Sequence, residues 1–310
     1  MTTTLTSTGP PSAGKSATGR ERNRYAAQAG GFAAPALLLV TLVLYLPFLW
    51  TGYLSFTDYT GLGNANWVGF DNYANMFSDA DMRTAMLNTL YWVVGTIALP
   101  VGIGLALALL VHGLPGSFWY RLPFLLPYAI SGVAVGVVWT FILQTDGALT
   151  QALRFLHLPG ADLQWLIDSP LNTWVMIGAT TWQGAGVNAL LFGIGLASIP
   201  PGPVEAARLD GATGWQLFRH IYWPMLRPLT TVVVGLAIVG SLKTFDVVWA
   251  MTQGGPGNTS QTLALLMYKR TFIDFKWGSG AAIAVFLTVI TVVAAGLYLR
   301  RQLSEAKAVN

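Results

Sequence analysis

The chain has 310 residues, 54% of them hydrophobic and only 10% charged, where soluble domains run at roughly 25% charged. Seventeen basic and 13 acidic side chains cannot cover a soluble globule of 33.3 kDa without large apolar patches, so a lipid-facing surface is implied, and the mean hydropathy of +0.54 agrees. Cysteine is absent, which excludes disulfides, thiolate metal sites, iron–sulfur clusters and a Cys nucleophile; a net charge of +4 is too small to argue for nucleic acid.

Residues 1–30, rich in Thr, Ser, Gly and Pro, read as a disordered cytoplasmic tail. They do not read as a secretory signal, because a full apolar span follows. Beyond them, stretches without Asp, Glu, Lys or Arg give the organisation. They run for 33 residues between Arg24 and Asp58, 37 between Arg83 and Arg121, and 24 between Arg121 and Asp146. Two more follow, 36 residues from Asp168 to Glu205 and 23 from Lys276 to Arg300. A sixth apolar run beyond Arg227 is interrupted only by Lys243 and Asp246. A spanning helix needs about 20 apolar residues. The expected fold is therefore all-α integral membrane, with six transmembrane helices at about 32–55, 86–111, 122–143, 171–197, 228–252 and 277–299 within a domain of residues 31–300. Continuity such as Ile97-Ala98-Leu99-Pro100-Val101 argues against barrel strands, which alternate. Residues 301–310 form a second short tail.

Lys and Arg in short loops set orientation. The N-terminal tail carries Lys15, Arg20, Arg22 and Arg24, the 198–227 loop Arg208, Arg219 and Arg227, and the C-terminal tail Arg300, Arg301 and Lys307. The 56–85 and 144–170 loops are acidic. Both termini are thus expected in the cytoplasm. The 253–276 loop, with Lys269, Arg270 and Lys276, departs from this pattern.

The inside loop 200–228 reads as helix, glycine bend, helix. Pro203 suits a first helical position, Glu205 the first turn, and Gly211 a helix stop. Trp215, Phe218 and Tyr222 follow at spacings of three and four, hence on one face. Small Ala206 and Ala207 let another backbone approach. Two readings fit: an amphipathic pair resting on lipid, or a docking knob for a cytoplasmic partner.

Glu205-Ala206-Ala207, then Gly211, Ile221 and Pro224 at their spacings, resembles the EAA loop of ABC-transporter permease subunits. With Asp210, Ala212, Phe218 and Pro228 it is similar to the carbohydrate-import branch; Trp223 stands where that family usually has Leu. Trp67-Val68-Gly69-Phe70, Asn88-Thr89, Leu126-Pro127-Tyr128, Phe245-Asp246 and Gly254-Gly255-Pro256 agree, in order, over about residues 35–300. The resemblance implies a type I importer permease fold in a bacterial plasma (inner) membrane. It implies that Glu205, Ala206, Ala207, Asp210, Gly211 and Phe218 couple to an ATPase subunit. Partners would be a second permease, favoured as a paralogue, two ATP-binding subunits and an extracellular or periplasmic solute-binding protein.

The chain has no G-x-x-x-x-G-K-[ST] loop, so ATP and magnesium are expected on the partner ATPase and no cofactor here. His112, His157 and His220 are far apart, and the spans hold one acid, Asp246, and no His. Catalysis is not expected.

Lys243 and Asp246, three apart in an expected helix, share a face. They fit either a self-neutralised pair or a polar patch on a substrate path, with Ser241, Thr244 and Trp249 beside them. The fourth span adds Thr180, Thr181, Trp182, Gln183, Gly184 and Asn188. Trp182 can stack on a sugar ring, and Gln183 and Asn188 can bond hydroxyls; interhelical bonding is the alternative. The expected function is a permease subunit of an ATP-driven sugar or oligosaccharide importer. The alternatives are a permease for glycerol-phosphate-like solutes, or a stand-alone ion-coupled carrier. Six spans without an evident duplication weigh against the carrier.

Overall fold

A computed structural model describes residues 31–309, with side chains through residue 298 and at Arg300. The expected 1–30 tail lies outside the described residues. The chain separates into two compact units, residues 1–50 and 51–310. The first holds most of helix α1 (Gly31–Leu54). The second holds α2 (Asp71–Ser78), α3 (Ala80–Leu110), α4 (Ser117–Leu125), α5 (Gly132–Leu143), α6 (Ala148–Phe155) and α7 (Leu171–Ala197). It continues with α8 (Pro201–Leu209), α9 (Gly214–Leu242), α10 (Asp246–Met251), α11 (Leu263–Tyr268) and α12 (Trp277–Val309). The residues assigned to the second tail continue α12 as far as Val309.

Five helical segments are long and apolar enough to span a membrane: α1, α3, α5 with α6, α9, and α12 through Tyr298. A sixth is counted when α7 is taken with α8, from which it bends by 78°. The six expected spans thus correspond to five long apolar helical segments, or six with the bent pair, and two of the expected spans are broken. The third, expected as one helix over 122–143, is α4, a 3₁₀ turn at Leu126–Ala129, and then α5. Pro127 is the second residue of that turn, and Ser131 caps the restart by accepting from the Ala134 N–H at 3.3 Å. The fifth, expected over 228–252, stops at Leu242 and restarts at Asp246.

Three π-turns sit beside prolines: Thr41–Tyr45 before Pro47, Ile97–Val101 around Pro100, and Phe218–Tyr222 before Pro224. Proline lacks the N–H of a helical rung and crowds the carbonyl one turn back; widening the turn to i→i+5 relieves both. The spans therefore continue through their prolines.

Helix α7 is the axis of the larger unit, packed by α3, α4, α5, α9 and α10. Close approach is set by glycine: a Cβ on Gly186 would enter the Phe124 carbonyl, and one on Gly104 would strike Asn188. Trp92, Val135, Met176, Val248 and Leu265 form one apolar cluster, and Val101, Phe192, Leu196, Leu226 and Val233 another.

Candidate functional site

The two broken spans meet. A Cβ built on Gly132, the first residue of α5, lies 3.3 Å from the Asp246 Cβ at the first residue of α10. Each break frees a carbonyl that a side chain then satisfies. Gln183 Nε2 donates to Ile130 O at 2.6 Å, and Thr262 Oγ1 donates to Thr244 O at 2.8 Å. Irregular backbone at membrane depth is tolerated where protein buries it or where it lines a cavity, and Tyr128 and Thr244, one from each break, line a cavity.

A cavity of about 410 Å³ opens beside the breaks. Its lining includes Trp92, Thr96, Pro100, Tyr128, Thr180, Gly184, Asn188, Gly240, Ser241 and Thr244. Of the expected path residues, Gly184, Asn188, Ser241 and Thr244 are brought together. Asn188 donates to its own helix at Gly184 O, 3.0 Å away, which leaves its carbonyl oxygen to the cavity. Trp182 does not line the cavity; it meets Trp139 edge-on at 6.1 Å. Gln183 is a strut for the third-span break rather than part of the wall.

The Lys243–Asp246 expectation is corrected. Lys243 caps the end of α9 and Asp246 begins α10, so they do not share a helical face. No ion pair joins them, and both are exposed. Asp246 instead places its carboxylate at a helix start, the favourable end of the peptide dipoles. Trp92, Thr96 and Tyr128 were missed as wall residues. The signal for the first two was present, because positions 92, 96 and 100 recur every four residues on one face.

The inside loop has three differences from expectation. Helix α8 starts at Pro201, two residues early, so Pro203 and Glu205 fall later in the helix. The first four helical N–H groups have no intrahelical acceptor, so prolines at 201 and 203 remove nothing. Helix α9 begins at Gly214 and runs on to Leu242, so the second loop helix and the fifth span are one helix. The π-turn also shifts the aromatic face. Phe218 lies 5.2 Å from Trp215 and 6.0 Å from Trp223, while Tyr222 turns to His112 at 5.5 Å.

The bend is as expected. Gly211 has φ +83°, and Gly211 N–H to Arg208 O (3.0 Å) with Ala212 N–H to Ala207 O (2.9 Å) closes α8 in a Schellman motif. Thr213 and Gln216 then start α9 with a reciprocal capping box, a signal the sequence carried unread. Ala207, Asp210, Gly211, Ala212, Gln216, His220 and Ile221 enclose a notch of about 300 Å³. Glu205 and Ala206 are exposed beside it, with Leu209 89% and Trp215 71% exposed. Burial, with Arg121 and Arg208 adding to it, lowers the His112 pKa.

At the other end, Arg270 of the basic 253–276 loop is neutralised and Lys269 is held by an amide. Arg270 pairs with Asp79, with Asp81 at 3.5 Å and with Asp274 at 3.3 Å, while Lys269 donates to Asn258 Oδ1 at 2.8 Å. Burial lowers the Lys269 pKa, opposed by Asp81 and Asp274. Asn88 ties this end together. Its Nδ2 donates to the carbonyls of Thr259 (2.7 Å) and Gln261 (3.0 Å), and its Oδ1 accepts from Thr173 Oγ1 (3.2 Å). Among the described residues, no cluster of three or more His, Asp or Glu can hold a metal ion.

A multi-span body with broken helices beside a cavity, and a capped bend between α8 and α9 after the fourth span, is the architecture of a membrane permease. The family comparison makes this specific. Residues 32–301 match the model of the binding-protein-dependent transport system inner membrane component, and the chain belongs to that family. It is a permease subunit of an ABC importer, multi-pass in the inner membrane, and the ion-coupled carrier reading is set aside.

The chain is 34% identical over 281 residues to the osmoprotective compounds uptake permease protein GgtC of Synechocystis, covering 89% of this chain and 99% of that one. It is 30% identical over 275 residues to the probable starch degradation products transport system permease protein AmyD of Thermoanaerobacterium thermosulfurigenes, covering 87% and 93%. It is 34% identical over 269 residues to the alpha-glucoside transport system permease protein AglF of Rhizobium meliloti, covering 84% and 78%. A solved bacterial ABC transporter for alginate import shares the fold at a TM-score of 0.79 and 20% identity, over 91% of this chain and 97% of that one.

Proposed function

We propose that the chain forms half of the translocation path of an importer for a neutral sugar or oligosaccharide. The cavity lining carries this reading: the exposed Tyr128 supplies a flat apolar face over a wall closed by the buried Trp92, and Thr96, Thr180, Asn188 and Thr244 supply hydroxyl and amide groups, with no charged side chain in the lining. Such a wall suits a solute with apolar faces and many hydroxyls. Relatives named for alpha-glucosides and starch degradation products support it.

The expected assembly is two permeases, this one paired with a paralogue, two ATP-binding subunits under the inside loops, and an external binding protein. Both termini face the cytoplasm. Glu205, Ala206, Ala207, Asp210, Gly211 and Phe218 couple to the ATPase through the 203–222 segment, and the exposed Leu209 and Trp215 widen that contact. Ser241, Thr244, Gly184 and Asn188 face solute; Lys243 and Asp246 lie on the same path beyond the wall.

ATP-driven uptake by the assembled transporter in proteoliposomes tests the reading. The probe is a panel of labelled neutral sugars: maltose to maltoheptaose, sucrose, trehalose and glucosylglycerol. Uptake of at least one is expected; uptake of none contradicts it. A glycerol-phosphate-like solute is the second reading, favoured by Lys243, an exposed cation with no ion pair among the described residues. Competition by glycerol phosphate but not by neutral sugars selects it.

A further inference from the structure

Two further cavities share the helices α3, α11 and α12. One, of about 450 Å³, joins polar Asn75, Asp79, Arg270, Lys276 and Ser279 to apolar Met82, Leu266 and Ile283. The other, of about 400 Å³, is apolar: α3 gives Met86, Leu90 and Val93, α9 Ile238 and Leu242, α11 Leu263, and α12 Ile290 and Ala294. Its polar member, Thr89, has its hydroxyl spent, donating to Ala85 O at 2.7 Å and accepting from the Leu263 N–H at 3.0 Å.

The same helix faces line both. On α3, Met82 belongs to the polar cavity, and Met86, Thr89 and Val93, at steps of four, three and four, to the apolar one. On α12, Ser279 and Ile283 belong to the polar cavity, and Ile290 and Ala294, at steps of seven and four, to the apolar one. Such steps keep to one face of a helix. On α11 the order reverses, Leu266 in the polar cavity and Leu263 in the apolar one, as an antiparallel neighbour requires. The two cavities are thus the ends of one valley. Ile283 to Ala294 is eleven residues, about 16 Å at 1.5 Å per residue, which is half of a hydrocarbon core about 30 Å thick. Leu90 is 55% exposed, so the apolar end is open at its side.

At the polar end, Asp79, Asp81 and Asp274 all engage Arg270. Among the described residues, the exposed Lys276 has no ion pair, and the Asn75 and Ser279 side chains have no hydrogen bond. A soluble anion would leave the apolar end empty, and an apolar helix would leave Lys276 unanswered. A phosphate ester carrying an acyl chain answers both, and basic pockets between spans suit lipid headgroups.

We infer that this valley holds one phospholipid, with its phosphate at Lys276 and an acyl chain in the apolar cavity. On α9 the lipid meets Ile238 and Leu242, while Gly240 and Ser241 line the 410 Å³ cavity, so the lipid packs behind the broken fifth span.

The test is native mass spectrometry of the complete transporter, stripped of lipid in detergent and titrated with palmitoyl-oleoyl phosphatidylglycerol. Lys276→Ala removes the exposed cation, and Ala294→Phe fills the foot of the valley. Each is expected to lower the occupancy of one tightly held lipid by about fivefold at subsaturating lipid, the effect of one basic residue beside a headgroup; Lys276→Arg should retain it. Unchanged occupancy in both Lys276→Ala and Ala294→Phe overturns the site, and leaves the groove to the second permease if that subunit is lost from Ala294→Phe. Displacement of the lipid by inorganic phosphate makes it a phosphate site and overturns the acyl part. Equal retention of dioleoylglycerol, which has no phosphate, overturns the part of Lys276.

Discussion

The two ends of this permease are built differently. The end around Asn88 is cross-linked over long sequence distances: Asn88 reaches Thr173, Thr259 and Gln261, Asn172 reaches Thr259, Thr89 accepts from the Leu263 N–H, and Arg270 reaches Asp79 and Asp81. The inner loop is held by local devices, the Schellman turn at Gly211 and the Thr213–Gln216 box, and it leads straight into the fifth span. An element folded by its own caps and joined rigidly to a long helix can be pushed as a unit. An end stitched across two spans and the 253–276 segment resists. The proposed coupling draws on this difference, with the capped loop driven against the cross-linked end.

The sharpest way to break that contrast is at Gly211. Any side chain there must adopt φ +83°, at a cost of about 1–2 kcal/mol. Glu205→Ala with Gly211→Asp should abolish uptake and ATPase stimulation while the protein still inserts, as read by membrane fractionation. Wild-type uptake in that double variant would remove the loop from coupling.

Asn88→Leu attacks the cross-linked end instead. It leaves the Thr259 and Gln261 carbonyls without their donor, a loss of about 1–3 kcal/mol for each group. A lower unfolding temperature of the purified complex is expected, with the ATPase still bound. An unchanged midpoint would mean that this end is not held as described.

Between the ends, Lys243→Met with Asp246→Leu removes two unpaired charges at little packing cost. Transport should fall severalfold while ATPase binding persists. Normal transport would mean the path runs elsewhere. Gln183→Ala should give a milder defect, because it loosens the third-span break at Ile130 without touching the wall.

The smallest effect is on pH. His112 has a lowered pKa, so below the ordinary value of 6.5 the unfolded chain binds the proton more readily than the folded one. Its contribution to stability is complete above 6.5 and is lost as pH falls toward the folded value. Arg121, Arg208 and the facing Tyr222 surround the ring. His112→Gln should flatten the acid side of a stability–pH profile; an unchanged slope would contradict this.

The sequence disclosed what composition and local stereochemistry control. The six spans followed from missing charge, and the Gly211 stop from a glycine after a helical run. The breaks at 126–131 and 243–245 were not legible as breaks, although Pro127 and Lys243 stand in them, because what permits them is distant: Gln183 for one, Thr262 for the other. The same distance hid the neutralisation of Arg270 by Asp79 and Asp81. Lys243 and Asp246 were placed on one face because three residues apart means neighbours only in an unbroken helix. Trp215, Phe218 and Tyr222 failed for a related reason, since a π-turn changes the repeat on which the pattern depends.

The central claim is that the broken fifth span lines the path and moves when the inner loop is driven. The absence of native cysteine makes one introduced thiol unambiguous. Thr244→Cys in the complete transporter should react with a small neutral maleimide added from outside in one nucleotide state of the ATPase and not in the other, and a transported sugar should protect it. Equal labelling in both states, or no protection by any transported sugar, would contradict the account.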